Sequence, residues 1–210
     1  YLLAESYLWL IDLGIKEENL RIRQHVKEEL SHYSKATFDI EYKFQFGWKE
    51  IHGNANRGQY DLSQHMKHSG KSMEFFDEEA KQRVIPRVIE PSFGLDRTFL
   101  AVMCDAYEFD KTRENIVLKI NSRITPFQIA VFPLVNKLDT QALELYLLLK
   151  KNFICMFDRS GSVGRRYARA DEIGIAFTIT MDFDSLEDKQ VTIRERDTTR
   201  QIRVKISELQ

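Results

Sequence analysis

The pattern that most constrains this chain is a strict alternation of large apolar and polar residues over positions 38–48. Its apolar members are Phe38, Ile40, Tyr42, Phe44, Phe46 and Trp48. Successive side chains of a β-strand point to opposite faces, so a period of two predicts strand structure with one buried face. After Trp48 the apolar or small residues are Ile51, Gly53 and Ala55, which changes the phase. Because a one-residue shift exchanges the two faces, we expect a hairpin with a turn or bulge near Gly47.

Gly53 and Ala55 are the two small residues of the strand that follows this turn. A strand position without a large side chain leaves space on its face, which a bound ligand can occupy. Close packing of a helix on the sheet would use the same space. The pattern alone leaves both alternatives open.

A strand, a turn and a helix are predicted around residues 88–97, with the sequence VIEPSFGLDR. We expect the strand to end at Glu90, because Pro91 cannot donate to a sheet ladder, and Gly94 allows a tight turn. Arg97 then opens a helix predicted over residues 98–109. The buried face of that helix, by its spacing of three and four, is expected to hold Phe99, Val102, Met103, Ala106 and Tyr107. Glu90 and Arg97 could also be no more than a surface ion pair that caps the helix.

The first residues of the chain have a helical pattern over positions 1–13, with Gly14 as its stop. Since the chain opens with Tyr1, inside this pattern, we expect it to be the C-terminal portion of a longer protein.

Two histidine-containing segments are candidates for metal or phosphate binding. On a helix over residues 20–35, four side chains would share one face, either as a zinc site or as a solvated surface: His25, Glu28, Glu29 and His32. Residues 60–82 are polar and are interpreted as containing a solvated loop with His65 and His68. The GKS sequence there lacks the upstream glycine of a phosphate-binding loop, so no such loop is predicted.

The second half of the chain alternates strands and helices, which predicts a small mixed sheet flanked by helices. We place the boundary between the two domains at residues 122/123. Strands are predicted at residues 128–134, 154–158, 175–183 and 191–196, and helices at residues 139–151, 163–172 and from Thr198 onward.

Composition narrows the class of protein. A net charge of -1 and 30% charged residues give no general attraction to nucleic acid, so any RNA contact must be local. Hydrophobic residues make up 43% of the chain, which is enough for sizeable cores, but no apolar stretch reaches the ~18 to 20 residues of a membrane span. Cys104 and Cys155 both lie in apolar runs and are predicted to be reduced, buried thiols.

The sequence of residues 88–97, VIEPSFGLDR, resembles the third signature motif of the class II aminoacyl-tRNA synthetases, in the form found in the glycyl-tRNA synthetases. Further matches to that family are RIRQH (21–25), ELSHYS (29–34), GWKEIHGNANRGQYDLSQH (47–65) and GSVGRRYARADEIG (161–174). Together they span nearly the whole chain. Asp96 departs from the small or other acidic residue more common in the class, and nothing in the chain resembles the first two class II motifs.

The resemblance implies an α+β protein: part of the class II antiparallel catalytic sheet over residues 1–122, followed by an α/β anticodon-binding domain over residues 123–210. It implies ATP-dependent activation of glycine and its transfer to tRNA(Gly), with Mg²⁺ as the metal. It also implies a cytoplasmic protein that is a homodimer when full length. Because the first two motifs are missing, we expect the 210-residue piece alone to be inactive.

The resemblance also assigns roles to individual residues. Arg97 would brace the γ-phosphate of ATP, and a planar guanidinium suits that role. Glu90, Pro91 and Ser92 would form the glycine pocket, with Glu90 facing the ammonium group; Glu90 and Arg97 are thus the catalytic candidates. Two further assignments are ATP contact by Glu50 and Ile51, with Glu50 also holding magnesium, and substrate-carboxylate contact by Arg57.

In the second domain, Arg165, Arg166 and Arg169 follow a glycine-rich loop at residues 161–164. They are either one face of a solvated helix, balanced by acidic neighbours, or tRNA phosphate contacts, which the family context favours.

A different class of protein is the alternative: a non-catalytic nucleic-acid-binding relative of the synthetases, such as a DNA polymerase accessory subunit. Such a protein has no need of the active-site groups. Their presence favours the enzyme: Glu50, Arg57, Glu90, Ser92 and Arg97.

Overall fold

The computed structural model describes residues 1–31 and 34–209. It divides into two compact units, Tyr1–Ala101 and Val102–Gln210. Both units combine helices and sheets, as the α+β prediction requires.

The first unit is built on a four-stranded, fully antiparallel sheet with the strand order β1-β2-β3-β6. The elements in chain order are α1 (Leu2–Asp12), β1 (Leu20–Gln24), β2 (Ala36–Phe44), β3 (Gly47–Gly58), α2 (Tyr60–Ser69), β4 (Phe75–Asp77), β5 (Gln82–Val84), β6 (Val88–Phe93) and α3 (Leu95–Ala106). The short strands β4 and β5 pair with each other in a separate hairpin.

The predicted hairpin is confirmed as β2 and β3. The two strands meet at a turn over residues 45–46, and Gly47 has a φ of +102°, which favours glycine at that position. A bulge lies between Ile40 and Glu41, whose partners on β3 are His52 and Glu50. The extra residue on β3, Ile51, is 1% exposed and so joins the core.

Several local predictions for this unit are wrong. Residues 20–35 do not form one helix, because Leu20–Gln24 is strand β1 and Lys27–Glu29 is a 3₁₀ turn. His32 lies outside the described residues. His65 and His68 lie on α2 rather than in a loop. The sequence of α2 shows no helical period of apolar residues, because none of its residues is buried.

The predicted turn after Glu90 also differs from the structure. Strand β6 continues through Pro91 and Ser92 to Phe93 before α3 begins at Leu95. An edge strand has one side without a partner strand, so it tolerates proline, and β6 is the edge of its sheet.

Helix α3 is confirmed as an element, but it is shifted toward the N-terminus relative to the prediction. It ends at Ala106, and Tyr107–Asp110 is a strand. Val102 and Ala106 of the expected face are buried, whereas Phe99 is 65% and Tyr107 57% exposed. Cys104, predicted to be buried, is exposed.

The second unit continues with β7 (Tyr107–Asp110), β8 (Asn115–Leu118), β9 (Ile129–Pro133), α4 (Asp139–Leu149), β10 (Cys155–Phe157), α5 (Val163–Glu172), β11 (Phe177–Met181), α6 (Asp184–Asp188), β12 (Gln190–Glu195) and β13 (Gln201–Lys205). Its main sheet has the order β10-β9-β11-β12-β13, parallel among the first three strands and antiparallel beyond them. The predicted mixed sheet is therefore confirmed. The final helix predicted from Thr198 is wrong, since Gln201–Lys205 is strand β13 and only a 3₁₀ turn, Ile206–Glu208, follows it.

Alternate residues of β9 supply two cores on opposite faces of this sheet. Val131 packs with α4 residues such as Leu145, while Ala130 and Phe132 pack with Ala170 of α5. Helices α4 and α5 therefore cover the two faces, as expected for a doubly wound arrangement of parallel strands.

Residues 102–122 group with the second unit, although the sequence places the domain boundary at 122/123. The hairpin of β7 and β8 packs on α5, where Asn115 Nδ2 donates to the Ala168 carbonyl at 3.1 Å. The functional boundary at 122/123 stays a prediction. Across the described part of the chain, the helices are too short or too polar to span a membrane.

Candidate functional site

One face of the first sheet is polar. Strand register pairs Asp39 with Gly53 and Gly53 with Ser92. The next residues of the same face on β3 and β6, Ala55 and Glu90, are also partners. Because directly opposed residues of a sheet project to the same side, Glu90 and Ser92 stand beside a floor made by Gly53 and Ala55.

Arg97 and Glu50 meet at one end of this polar face. Arg97 Nη1 donates to the main-chain carbonyl of Glu50 at 2.9 Å and lies 3.6 Å from the Glu50 carboxylate. The Gly94 N–H donates to the Ile51 carbonyl at 3.1 Å, which ties the start of α3 to β3. Both side chains remain about half exposed, at 60% for Arg97 and 48% for Glu50. Glu50 and Arg97, both of which the resemblance assigns to ATP, are therefore neighbours.

Glu90 belongs to a chain of charges with Arg57 and Asp61. Arg57 Nη1 donates to Glu90 Oε2 at 2.5 Å, while its Nε and Nη2 donate to the two oxygens of Asp61 at 2.6 and 2.9 Å. The hydrogen bond to Asp61, followed by that to Glu90, raises the pKa of Arg57 well above its usual range despite an opposing effect of burial. Arg57 is therefore a fixed cation between two carboxylates.

Gly53 lies where acidic side chains converge. A Cβ added at Gly53 would lie 3.2 Å from Glu50 Oε1 and 3.8 Å from Asp39 Oδ1. The neighbours of this position are carboxylate oxygens and not the helix that close packing would require. Between the two alternatives left open by the sequence, the geometry supports space on a polar face.

Two buried acids of this face were missed by sequence reasoning. Asp39 is 5% and Glu41 8% exposed, although the alternation assigned both to the solvent side of β2. His25 Nε2 contacts Asp39 at 2.6 Å, and Arg21 Nε donates to Glu41 at 2.5 Å. Their spacing of two residues places both acids on one face of β2, the face on which Asp39 pairs with Gly53. That spacing was the signal in the sequence.

The carboxylates of this face fit the magnesium ion that the resemblance implies. Glu50 and Asp39 offer hard carboxylate oxygens near the Gly53 position, and Mg²⁺ at phosphate sites commonly takes one or two carboxylates and completes its shell with phosphate and water. Within residues 1–31 and 34–209 no group of three or more His, Cys, Asp or Glu side chains is arranged to hold a metal alone. The zinc alternative at His25, Glu28 and Glu29 has no such cluster among these residues either.

The opposite face of the sheet supports strand β6 from behind. His52 is fully buried, and its ring stacks on Phe93 with centroids 3.9 Å apart. Burial lowers the pKa of His52, so its ring is neutral, and Nδ1 lies 2.8 Å from the Ser92 carbonyl. A carbonyl only accepts, so Nδ1 carries the proton and donates it to Ser92.

In the second unit a cleft of about 560 Å³ lies at the carboxyl ends of β9 and β11. Its lining consists of Leu134, Val135, Asn136, Lys137, Gly161, Ser162, Arg166 and Phe183. Helix α4 leads out of β9 and helix α5 leads into β11, and the two helices pack on opposite faces of the sheet. The cleft is therefore at the topological switch point, where open α/β sheets bind ligands.

The three predicted tRNA-binding arginines have different environments. Arg166 is 2% exposed and donates to the main-chain carbonyls of Pro133, Leu134 and Gly161, so it supports the cleft from within. This corrects the expectation of an exposed phosphate contact for Arg166. Arg169 is bound by Asp158, with Nη2 to Oδ2 at 2.5 Å, and stays 41% exposed. Arg165 is exposed on the first turn of α5.

Known proteins are similar to this chain over nearly its whole length. Residues 128–210 match the family described as the anticodon binding domain. The chain is 53% identical over 203 residues to a glycine–tRNA ligase of Caldanaerobacter subterraneus, 50% over 206 residues to that of Ruminiclostridium cellulolyticum, and 49% over 203 residues to that of Bacillus cereus.

These similarities cover 96% or 97% of the chain but only 44% or 45% of each relative, so the chain spans less than half the length of the curated relatives it matches. Three observations support one conclusion: the mixed sheet of the second unit, the family match over it and the half-identical relatives. The chain therefore belongs to the glycyl-tRNA synthetase family and corresponds to the C-terminal portion of its members.

Proposed function

We propose that the protein to which this chain belongs is a glycine–tRNA ligase, which activates glycine with ATP and transfers it to tRNA(Gly). The single observation that carries the proposal is the strand register that sets Glu90 and Ser92 beside Gly53 and Ala55 on one polar face. The Glu50–Arg97 pair borders the same sheet. A non-catalytic nucleic-acid-binding protein would not need this arrangement, and the similar proteins are named as ligases.

The glycine pocket is proposed at Glu90, Pro91 and Ser92. A carboxylate beside an ammonium group forms a charge-assisted hydrogen bond, which is stronger than one between neutral groups. Glu90 is 46% exposed, so it can reach a ligand, and its Oε2 is already oriented by Arg57. Arg57 is proposed to contact the glycine carboxylate from the same position.

The ATP site is proposed at Glu50, Ile51 and Arg97. Arg97 is fixed at one nitrogen by the Glu50 carbonyl and is otherwise accessible, which suits pairing with phosphate oxygens. The Ile51 side chain is buried, so its contribution is limited to its main chain. Mg²⁺ bound with the nucleotide would supply positive charge to the phosphates, and Glu50 is the proposed protein ligand.

Activation of glycine brings its carboxylate to the α-phosphate, a reaction that depends mainly on positioning and electrostatic stabilisation. On this chain Glu90 holds the ammonium group at one end, and Arg97 holds the triphosphate at the other. Residues 1–122 are accordingly proposed as part of the class II catalytic domain.

Residues 123–210 are proposed as the anticodon-binding domain, in line with the family matched there. Single-stranded RNA is commonly bound by a basic surface beside aromatic rings that stack on bases. The cleft at the switch point has exposed Lys137 and Phe183 in its lining, and Arg165 follows it on α5. Arg165 and Arg169 are the proposed phosphate contacts. We further propose that the full-length protein is a cytoplasmic homodimer.

The test is glycine-dependent exchange between ATP and pyrophosphate, measured with the full-length protein. We expect exchange with glycine and none with alanine or serine at equal concentration. The 210-residue chain by itself should exchange far more slowly, because nothing in it resembles the first two class II motifs. Loss of even one group that stabilises developing charge typically costs ~10²- to 10³-fold in rate. A full-length protein that lacks glycine-dependent exchange in the presence of Mg²⁺ would contradict the proposal.

Two arginine substitutions separate the two domains. Arg97→Ala should reduce the exchange rate by about 10²-fold or more, by the same electrostatic argument. Arg165→Ala should leave exchange unchanged and weaken only the charging of tRNA, since tRNA takes no part in exchange. Equal effects of both variants on exchange would rule out this division of roles.

A further inference from the structure

We propose that Asp61, on the first turn of α2, is a positioning residue of the glycine pocket, which acts on Glu90 through Arg57. The inference rests on the proposed function for its substrate, but its geometry stands on three side chains of the first unit. The resemblance assigns no role to Asp61, which lies 29 positions before Glu90 in the chain.

The first step is the contact between Asp61 and Arg57. Arg57 Nε and Nη2 donate to separate oxygens of Asp61, at 2.6 and 2.9 Å. Two parallel hydrogen bonds along one edge of a guanidinium fix its plane as well as its position. Both side chains are about four-fifths buried, with 22% and 20% exposure, so water competes weakly for these bonds.

The second step concerns Nη1, the guanidinium nitrogen that donates to Glu90 and not to Asp61. With its Nε–Nη2 edge held by Asp61, Arg57 meets Glu90 through Nη1, which donates to Oε2. A single contact of this kind orients the Glu90 carboxylate and occupies one of its oxygens, whereas a two-bond pair would occupy both. The second oxygen of Glu90 is the one that a substrate ammonium group requires.

The third step is the consequence of losing the Asp61 charge. Without the carboxylate, the edge of Arg57 that it held is released, and the nearest other acid in the described contacts of Arg57 is Glu90. Arg57 is then expected to turn and pair with both oxygens of Glu90. Glycine must compete with that pair, so its KM should rise, while ATP binding near Glu50 and Arg97 should change little.

The local structure explains why Asp61 lies close enough to Arg57 to bind one edge of its guanidinium. Arg57 is near the end of β3 and Asp61 is four residues later, after Gly58 with a φ of +58° lets the chain turn into α2. A Cβ at Gly58 would lie 2.9 Å from Lys35 Cε. The turn therefore sets the start of α2 against the end of the strand that carries Arg57.

The experiment uses Asp61→Asn in the full-length protein, with Asp139→Asn as the matched control. Asp139 also lies on the first turn of a helix and pairs with an arginine, Arg159, at 3.0 Å, but it belongs to the second unit. Glycine and ATP are varied separately in pyrophosphate exchange. We expect Asp61→Asn to raise the KM for glycine about tenfold or more, by the sensitivity of catalysis to small misplacements, with the KM for ATP within about twofold of wild type.

Further outcomes distinguish positioning from a general structural role. Asp61→Glu keeps the charge and should recover part of the glycine KM, and Asp139→Asn should match wild type. Equal rises in both KM values, or no rise for glycine, would overturn the inference. A crystal structure of Asp61→Asn gives a second readout that does not require activity: the Arg57–Glu90 contact should change from one hydrogen bond to two. An unchanged contact would overturn the inference even if the protein proved to act on another substrate, whereas a wild-type protein without glycine exchange would count against the proposed function alone.

Discussion

Gly174, which follows α5 in the second unit, offers the sharpest test of the packing described here. Its φ is +82°, a left-handed conformation that costs an alanine about 1 to 2 kcal/mol. An added Cβ would lie 2.6 Å from Ile120 Cγ2 and 3.1 Å from the Leu118 carbonyl oxygen. Since the second atom belongs to the backbone of β8, relief requires movement of the strand, at a further cost of ~1 to 3 kcal/mol.

We therefore expect Gly174→Ala to destabilise the second unit by about 2 to 5 kcal/mol. Gly164→Ala is the matched control, because Gly164 lies within α5 and an added Cβ meets nothing within 4 Å. The same change at that position should stabilise the helix by ~0.5 to 1 kcal/mol, since alanine loses less conformational entropy than glycine.

The assay is native-state hydrogen exchange of the full-length protein, followed by mass spectrometry on peptides that contain β8, β9 and β11. At 1.4 kcal/mol for each factor of ten, a loss of 2 kcal/mol speeds exchange in these strands about 30-fold. Gly164→Ala should slow exchange slightly. The reasoning is refuted if Gly174→Ala exchanges at the wild-type rate, or if both variants shift in the same direction.

Two further outcomes follow from buried ionisable groups. Asp171 is 2% exposed and accepts two hydrogen bonds from buried Arg194, at 2.8 and 2.9 Å. Because Asp171→Ala would leave that cation buried and unpaired, it should lower the free energy of unfolding in urea by ~3 to 5 kcal/mol. A loss below about 1 kcal/mol would contradict this. Burial lowers the pKa of His52 from its usual 6.5. As the pH falls below about 6.5 toward the folded-state pKa, the unfolded chain binds a proton at this residue that the folded chain does not bind, so the free energy of unfolding decreases. The fluorescence of Trp9 and Trp48 should report this loss in the 210-residue chain, and His52→Gln should reduce it; an equal pH dependence in both proteins would contradict the burial argument.

Periodicity predicted the elements whose pattern is set by burial on one face. The β2–β3 hairpin follows from the alternation that ends at Trp48, and the mixed sheet follows from apolar runs such as those around Val131. In these elements the hydrophobic pattern and the fold agree, so local sequence was sufficient.

Predictions failed where partners distant in sequence decide the structure. Strand β1 contains Arg21, whose charge is balanced by Glu41 on the neighbouring strand, so a charged segment that resembles a helix forms a strand instead. At Pro91 the strand continues because β6 is an edge, which depends on the order of strands and not on the dipeptide. Such tertiary effects override local propensity.

The same limit applies to the candidate sites. The resemblance of residues 88–97 to a known motif supplied Glu90 and Arg97, but it gave no sign that Arg57 is held by Asp61. Arg166 has the sequence context of an exposed basic helix, yet it is 2% exposed because main-chain carbonyls at the end of β9 accept its hydrogen bonds. Sequence patterns do not report which arginine of a cluster turns inward.

The most direct test of the central claim is a crystal structure of the full-length protein with a non-hydrolysable glycyl-adenylate analogue, glycylsulfamoyl adenosine. The polar face of the first sheet should hold the analogue with its ammonium group about 2.7 to 2.9 Å from a Glu90 carboxylate oxygen, beside Ser92 and above Gly53. An analogue bound away from this face, or one whose ammonium group does not contact Glu90, would contradict the account.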